Sequence, residues 1–254
     1  MSALLHPREL RTRIRSGWRG LTTGLVPGFL QANLVVLPAD WADEFAEFCA
    51  ANPQACPLLG RSAPGSVRID SIAANLDVRT DIGGYVVYHH GRKTEQRDDL
   101  LALWQPDWVA FALGCWFSNE SALAAAGIRM RHIELGIQGG LFRTNQPCRP
   151  AGRFHGNLVV SMRPFADADV DRVAAITACA PLAHGAPVHL GHPNVLGIHD
   201  LASPDFGEPL PPIAGETAMY WACGLTPVAA IEAARPPIAI THAPGHMLVT
   251  DLPA

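Results

Sequence analysis

The sequence predicts an α/β protein in which a mixed, partly parallel sheet is flanked by helices, with room for a smaller inserted α+β subdomain. Apolar strand-like runs alternate with amphipathic helix-like runs along the 254 residues. Hydrophobic residues make up 48% of the chain, which is enough to bury a core. The 23 glycines and 22 prolines are too many for a coiled coil or a simple helical bundle. There is no internal repeat or low-complexity linker, so we expect one domain over residues 1–254.

Strand-like runs in the first half of the chain are short and apolar. Residues 31–37 form such a run before Pro38, which predicts a buried strand. Asp40 can cap the helix that follows, because its carboxylate can accept from backbone N–H groups that are unpaired at a helix start. The same pattern predicts strands over 85–88 and 109–113.

Capping residues mark the helix starts in the second half of the chain. Ser118 occupies the N-cap position of a helix predicted over 119–126, and Asp167 occupies that of the next helix. Thr226 followed by Pro227 begins the last helix, because proline lacks the N–H that would be unpaired there. Apolar runs predict three more strands, over 158–162, 238–240 and 247–249.

Composition excludes several function classes. The single lysine, Lys93, lies in a polar stretch, which disfavours a pyridoxal-phosphate Schiff base and a lysine-containing phosphate loop. A net charge of −4, with no basic block after the N-terminus, argues against a nucleic-acid partner. The longest apolar runs are shorter than the roughly 20 residues of a membrane span, so we expect no membrane partner.

Cysteine usage and the first residues bear on the compartment. Six cysteines without a C-x-x-C motif are typical of free thiols in a cytoplasmic protein. Residues 1–20 contain five arginines and one glutamate, which favours a basic, solvated first helix over a targeting peptide. A homodimer is the expected assembly, because symmetric dimers are the commonest oligomers.

Histidines are concentrated in one loop-rich stretch. His184, His189 and His192 lie close together, and neutral imidazoles are common ligands of zinc and related ions. Glycines and prolines between them prevent a helical presentation, so a loop whose histidines bond backbone groups is the simpler interpretation. His242 and His246 form a second pair around a Pro-Gly turn, which can bring both rings to one pocket.

The segment from Cys115 to Glu120 joins a predicted strand to a predicted helix. Free N–H groups at such a helix start, near Ser118, suit a substrate carboxylate or a developing oxyanion. Glu120 is a candidate for proton transfer. The segment lacks a G-x-S-x-G elbow, which disfavours a serine hydrolase.

Three arginines are candidates for binding a carboxylate. Arg79, Arg143 and Arg163 each follow an apolar or turn segment, and a guanidinium fork matches carboxylate geometry. Asn145, two residues after Arg143, adds an amide to that group. Ordinary salt bridges are the alternative for each arginine.

Taken together, the motifs resemble the bacterial hydro-lyase family that is grouped with D-glutamate cyclase. The matching stretches occur in the family's order and run nearly from end to end, which is far more specific than one short pattern. They are PGFLQANLVVLP (27–38), FCAANPQACPLLG (48–60), LDVRTDIGGYVVY (76–88), GIRMRHIELG (127–136), RTNQPC (143–148), GNLVVSMRP (156–164), HGAPVHLGHP (184–193), DLASPDFG (200–207), WACGLTP (221–227) and THAPGHMLVTDL (241–252).

The resemblance implies an α/β fold particular to the family and a carbon–oxygen lyase activity. In its characterised relative, D-glutamate closes to 5-oxo-D-proline with loss of water. This chain departs from the family pattern at Asn75, Trp116, Asn119 and His192. If those positions contact the substrate, the specificity here differs from that of the relative.

Lactam formation needs a base for the ammonium group, an acid for the departing oxygen and groups that hold two carboxylates. We expect catalytic roles for His184, His189, Glu120 and His242. We expect substrate binding by Arg79, Arg143, Arg163, Ser118 and Asn145. The expected partner is a small acidic substrate, and no metal or cofactor is expected.

Two alternatives stay open at this point. One is a metal-dependent hydrolase or lyase that uses His184, His189 and His192. The other is a non-catalytic protein that binds a small acidic metabolite with the same arginines.

Overall fold

Residues 5–254 are described by the computed structural model, and they form two sheets with helices packed around them. The helices are α1 (Pro7–Arg15), α2 (Ala39–Ala51), α3 (Glu120–Ala125), α4 (Arg131–Leu135), α5 (Val170–Ala178) and α6 (Thr226–Ala234). The strands are β1 (Phe29–Pro38), β2 (Leu58–Arg61), β3 (Tyr85–His89), β4 (Arg92–Arg97), β5 (Trp108–Gly114), β6 (Leu141–Pro147), β7 (Asn157–Ala166), β8 (His189–Leu190), β9 (Glu216–Ala222), β10 (Ala239–His242) and β11 (Leu248–Pro253).

Strand β1 lies at the centre of the first sheet, whose order is β2-β5-β1-β10-β3-β4, with β11 also paired to β1. On one side β5 pairs with β1 from Ala32 to Pro38. On the other side β11 pairs with the first part of β1, and β10 pairs with Val35 and Val36. Nine of the ten residues of β1 are buried, which explains its nearly continuous apolar sequence.

The second sheet has the order β6-β7-β9-β8. The chain that forms it, with α5, lies between β5 and β10 of the first sheet. It is therefore an insertion into the first sheet, as the expected α+β subdomain requires.

The predicted α/β class with helices around the sheets is confirmed, but the parallel pairing is wrong. Every strand pair within residues 5–254 is antiparallel. The crossover β1-α2-β2 does place two strands in the same direction, as a β-α-β pattern predicts. However, β5 lies between them and runs against both, so they never become neighbours.

Most predicted elements are confirmed. The strands expected over 31–37, 85–88, 109–113 and 158–162 lie within β1, β3, β5 and β7, and the two C-terminal strands are β10 and β11. Helix α6 begins at Thr226 with Pro227 in its first turn, as predicted.

The three predicted caps are wrong. Asp40 lies inside the first turn of α2, which begins after Pro38. Ser118 and Asp167 lie in short 3-10 turns that lead into α3 and α5, and neither side chain caps its helix. The Asp167 carboxylate instead accepts a hydrogen bond of 2.6 Å from the Thr217 hydroxyl of β9, the strand that pairs with β7 just before Asp167.

The largest hydrophobic cluster joins the two sheets. Phe154, in the loop between β6 and β7, is fully buried against Trp41, Phe45 and Phe48 of α2. Phe45 in turn packs edge-on against Phe111 of β5, with ring centroids 4.9 Å apart. An aromatic side chain from the inserted segment thus completes the core of the first sheet.

Helix α1 is basic, as expected, but one face of it is buried rather than solvated. Leu10 and Ile14 pack with Val249 of β11. Arg11 is buried beside them, where it donates to the Val249 carbonyl and forms an ion pair of 2.8 Å with Asp251. The targeting-peptide alternative also concerns residues 1–4, which lie outside the described residues.

Two further observations concern the chain as a whole. Among residues 5–254, no helix is both long and apolar enough to cross a membrane. All six cysteines lie in this part of the chain and are free, as their spacing predicts.

We predict that Phe154→Ala lowers the free energy of unfolding by about 3–5 kcal/mol, because it leaves a cavity between the two sheets. Urea denaturation measures this change. The matched control is Leu101→Ala, at a side chain that is 54% exposed, which should change stability by no more than about 0.5 kcal/mol. Equal effects of the two substitutions would contradict the role of Phe154.

Candidate active site

A cavity of about 430 Å³ lies where the segment before β1, the turn after β5 and helix α4 meet. Most of its lining is apolar. The polar side chains in its wall are Thr23, Gln31, Ser118, Glu120, Ser121, His132 and Gln138. A mostly apolar cavity with a few convergent polar groups is the usual form of a small-molecule site.

The cavity contains a carboxylate–imidazole pair. Glu120 begins α3, His132 lies in the first turn of α4, and Glu120 Oε1 is 3.0 Å from His132 Nε2. The two side chains are only 11% and 3% exposed. Burial lowers the pKa of His132; the bond to Glu120 opposes this effect, and the charge of Arg163 adds to it. The imidazole is therefore neutral near pH 7.

Arg163 of β7 lies beside this pair and is fully buried. Its guanidinium carbon lies 5.0 Å from the ring centroid of Trp116 and 5.8 Å from that of Phe117, and its Nη1 donates to the Met162 carbonyl. Its Nε has no hydrogen-bond partner within the described residues. Burial lowers the pKa of Arg163, and the Glu120 carboxylate opposes this effect. The positive charge of Arg163 thus acts on Glu120 and His132 through space.

A glycine lets the chain approach this buried arginine. Gly139 has φ +82°, in the left-handed region, and a Cβ at this position would lie 3.0 Å from Arg163 Nη1. A larger residue would therefore be strained and would press on the guanidinium.

Three other polar residues of the cavity wall, Thr23, Gln31 and Ser118, differ in whether their side chains have hydrogen-bond partners. Ser118 Oγ accepts a hydrogen bond of 3.0 Å from the backbone N–H of Gln31, which ties the turn after β5 to the central strand. The side-chain oxygens Gln31 Oε1 and Thr23 Oγ1 are buried without a hydrogen-bond partner in the described residues. Buried polar atoms are normally paired, so these two atoms are available to a polar ligand.

Three of the predicted site residues therefore lie together. Ser118 and Glu120 line the cavity, and Arg163 lies behind it. Sequence reasoning missed His132, although the stretch GIRMRHIELG that contains it is one of the motifs of the family resemblance. Its position soon after the Ser118–Glu120 segment is the sequence feature that could have indicated its role.

The structure places His184 and His242 elsewhere, in backbone-binding positions. His184 Nδ1 is 2.8 Å from the Gln54 carbonyl oxygen, and burial lowers the pKa of the ring to about 4. His242 Nδ1 accepts from the Leu34 N–H of β1, at the point where the partner of β1 changes from β11 to β10. Burial also lowers the pKa of His242 to about 4.

The metal alternative has no ligand set. His189 Nε2 is 2.8 Å from the His192 carbonyl oxygen, and the buried His184 ring bonds the backbone separately. Within residues 5–254, no group of three or more His, Cys, Asp or Glu side chains could hold a metal ion. A metal enzyme built on His184, His189 and His192 is therefore not supported.

The remaining predicted binding residues form local pairs outside the cavity. Arg79 forms a two-point ion pair with Asp77, with bonds of 3.0 and 2.8 Å. Arg143 pairs with Glu232 at 2.8 Å. Asn145 is exposed, and its side-chain oxygen accepts from Gln146. Salt bridges, the alternative considered for these arginines, are what the structure shows at Arg79 and Arg143.

Two positions that depart from the family pattern have structural contacts. The Trp116 ring packs edge-on against His132, with centroids 5.7 Å apart. The Asn119 side chain donates to the carbonyls of Trp116 and Ala183. Trp116 can therefore affect the site through its contacts with His132, Arg163 and the cavity-lining Phe117.

Comparison with known proteins identifies the family. The family model described as D-glutamate cyclase matches residues 109–251. Proteins named "putative hydro-lyase" are similar over nearly the whole chain. One from Methylobacterium radiotolerans is 50% identical over 96% of this chain and 90% of its own length. One from Pseudomonas aeruginosa is 50% identical over 98% of this chain and 94% of its own length.

These similarities, over nearly the whole chain, place the protein among the lyases. The chain belongs to the D-glutamate cyclase family. Among solved structures, a nitrogen repressor-like protein from Methanococcus jannaschii aligns with a TM-score of 0.41 and 9% identity over 92% of this chain and 90% of its own.

We predict that stability falls as the pH is lowered from 6.5 towards 4. Burial lowers the pKa of His184 from 6.5 to about 4, so in this window the unfolded chain binds a proton that the folded chain does not. This histidine alone contributes up to about 1.4 kcal/mol per pH unit. Urea denaturation at several pH values measures the slope.

The test of the assignment is His184→Asn, because asparagine tolerates the positive φ of 71° at this position. This variant should show a shallower pH dependence than the unmodified protein. The control is His199→Asn, at an exposed histidine, which should keep the original slope. An unchanged slope in His184→Asn would assign the acid sensitivity to other groups.

Proposed function

We propose that the protein is a carbon–oxygen lyase that interconverts D-glutamate with 5-oxo-D-proline and water in the Glu120–His132 cavity. The observation that carries the proposal is the buried pair of Glu120 and His132, 3.0 Å apart in the wall of a cavity of about 430 Å³. Family membership supports the reaction class.

The reaction moves two protons from nitrogen to oxygen. In ring closure, the amine nitrogen attacks the γ-carboxyl carbon, the new C–N bond forms and one C–O bond breaks. The ammonium group loses two protons, and the departing oxygen leaves as water after receiving two. One group that alternately accepts and donates protons can serve both steps.

His132 is suited to that role. If its Nε2–H donates to Glu120, the Nδ1 atom of the neutral ring is left as a proton acceptor. The Glu120 carboxylate fixes this tautomer and stabilises the imidazolium that forms when Nδ1 takes a proton. The imidazolium then returns the proton to the departing oxygen, as in other carboxylate–histidine pairs.

Binding of the acidic substrate relies on neutral donors and on a nearby buried cation. No arginine lines the cavity within the described residues, and Arg163 lies behind Trp116 and Phe117. Its positive charge favours a carboxylate near the Glu120 side of the cavity. The unpaired oxygen of Gln31 can accept from the substrate ammonium, and the Thr23 hydroxyl can donate to a carboxylate.

We predict that Glu120→Gln and His132→Asn lower turnover by about 100-fold or more, because each removes part of the proton-transfer pair. The measurement is an NMR time course of purified protein with D-glutamate, L-glutamate and 5-oxo-D-proline. Ligand-induced thermal stabilisation, recorded in parallel, shows whether a variant still binds.

His184→Asn is the matched control, since it alters a buried histidine outside the cavity. It should keep turnover within about threefold of the unmodified protein if its role is to bond the Gln54 carbonyl. Loss of turnover in a folded His184→Asn protein would restore the catalytic role that the sequence suggests for it. Stabilisation by D-glutamate without any turnover would favour the non-catalytic binding protein instead.

A further inference from the structure

A second cavity, of about 530 Å³, lies between α1 and the segment 67–79. Its lining is mainly polar, in contrast to the Glu120–His132 cavity, and no residue lines both. Five arginines contribute to its wall: Arg8, Arg11, Arg15, Arg68 and Arg79. This concentration is unexpected in a chain whose net charge is −4.

The helix presents its arginines to the cavity as one stripe. Arg8, Arg11 and Arg15 are three and four residues apart, so their side chains lie on the same face of α1. Like charges at this spacing repel each other and weaken an isolated helix. Negative charge in the cavity would therefore stabilise this arrangement.

Protein carboxylates offset only part of this repulsion. Arg11 pairs with Asp251, Arg15 with Asp81, and Arg79 with Asp77. Each of these three pairs contains one carboxylate and one guanidinium, so together they are neutral.

Two arginines remain in excess. Arg8 and Arg68 are exposed, and neither side chain has a carboxylate or hydrogen-bond partner among residues 5–254. Asp70 lies in the same loop as Arg68, but it is exposed and does not line the cavity. The wall of the cavity thus carries two positive charges beyond its three ion pairs.

The paired arginines also retain unused donors. Arg15 and Arg79 bind their partners through Nε and Nη2, which leaves Nη1 of each without a protein acceptor in the described residues. These two Nη1 groups and the forks of Arg8 and Arg68 offer more N–H donors than one carboxylate can accept. A phosphate group has more oxygens and matches several guanidinium groups at once.

We propose that the arginine-lined cavity binds a small molecule with two phosphate groups, at a site separate from the Glu120–His132 cavity. Its charge offsets the excess of Arg8 and Arg68, while Nη1 of Arg15 and of Arg79 donate to its outer oxygens. The three ion pairs hold the wall in place before the ligand binds.

Isothermal titration calorimetry with inorganic pyrophosphate, in magnesium-free buffer of low salt, tests this proposal. Arg8→Gln and Arg68→Gln should each weaken binding by about tenfold or more, because each removes a charged donor. The matched control is Arg13→Gln, which removes the same charge from α1 at an exposed residue paired with Glu9 outside the cavity. It should change the affinity by less than about twofold.

Inorganic phosphate and glutarate are the comparison ligands. Weaker binding of inorganic phosphate and of the dicarboxylate glutarate would support a site for two phosphate groups. Glutarate binding as tight as that of pyrophosphate would overturn the assigned ligand class. No heat of binding with pyrophosphate, or an equal loss in Arg13→Gln, would overturn the site itself.

Discussion

The fold depends on the pairing of β1, the buried central strand of the first sheet. Along one of its edges, β1 pairs first with β11 and then with β10. Because β11 gives way to β10 along this edge, the Leu34 N–H falls at the change of partner, and the His242 ring accepts its hydrogen bond. The same strand holds the turn after β5 through the bond from the Gln31 N–H to Ser118. The candidate active site is thus fixed to the central strand of the first sheet, which limits the movement of one wall of the cavity.

Local sequence signals predicted elements well and their partners poorly. Strands β1 and β5 are rich in apolar residues, and Pro227 marks a helix start, so these elements could be found from neighbouring residues alone. The order of strands could not, because insertion of β5 between β1 and β2 leaves no trace in either segment. Ser118 has the position and the chemistry of a helix cap. Its Oγ instead accepts from the N–H of Gln31 in β1, which is far from it in the sequence.

The same limit applies to the site. The segment from Ser118 to Glu120 could be identified as a place where a strand turns into a helix, whereas the pairing of Glu120 with His132 depends on how two short helices meet. The many histidines near His184 suggested a catalytic loop. The buried His184 ring instead forms a hydrogen bond with the Gln54 carbonyl. The sequence could not distinguish among the candidate arginines, because burial and pairing depend on the fold: Arg79 pairs with Asp77, whereas Arg163 is buried without a salt bridge among residues 5–254.

The lengths of α3 and α4 bear on how the Glu120–His132 pair responds to heat. They contain six and five residues, too few to be helical in isolation, so the sheets and the cluster around Leu123 and Met130 keep them in shape. Local fluctuations that loosen this cluster separate the carboxylate from the imidazole while both sheets stay intact. We therefore expect heat to separate Glu120 from His132 before the overall structure is lost, and a ligand that bridges the two helices to protect this pair more than it protects the fold.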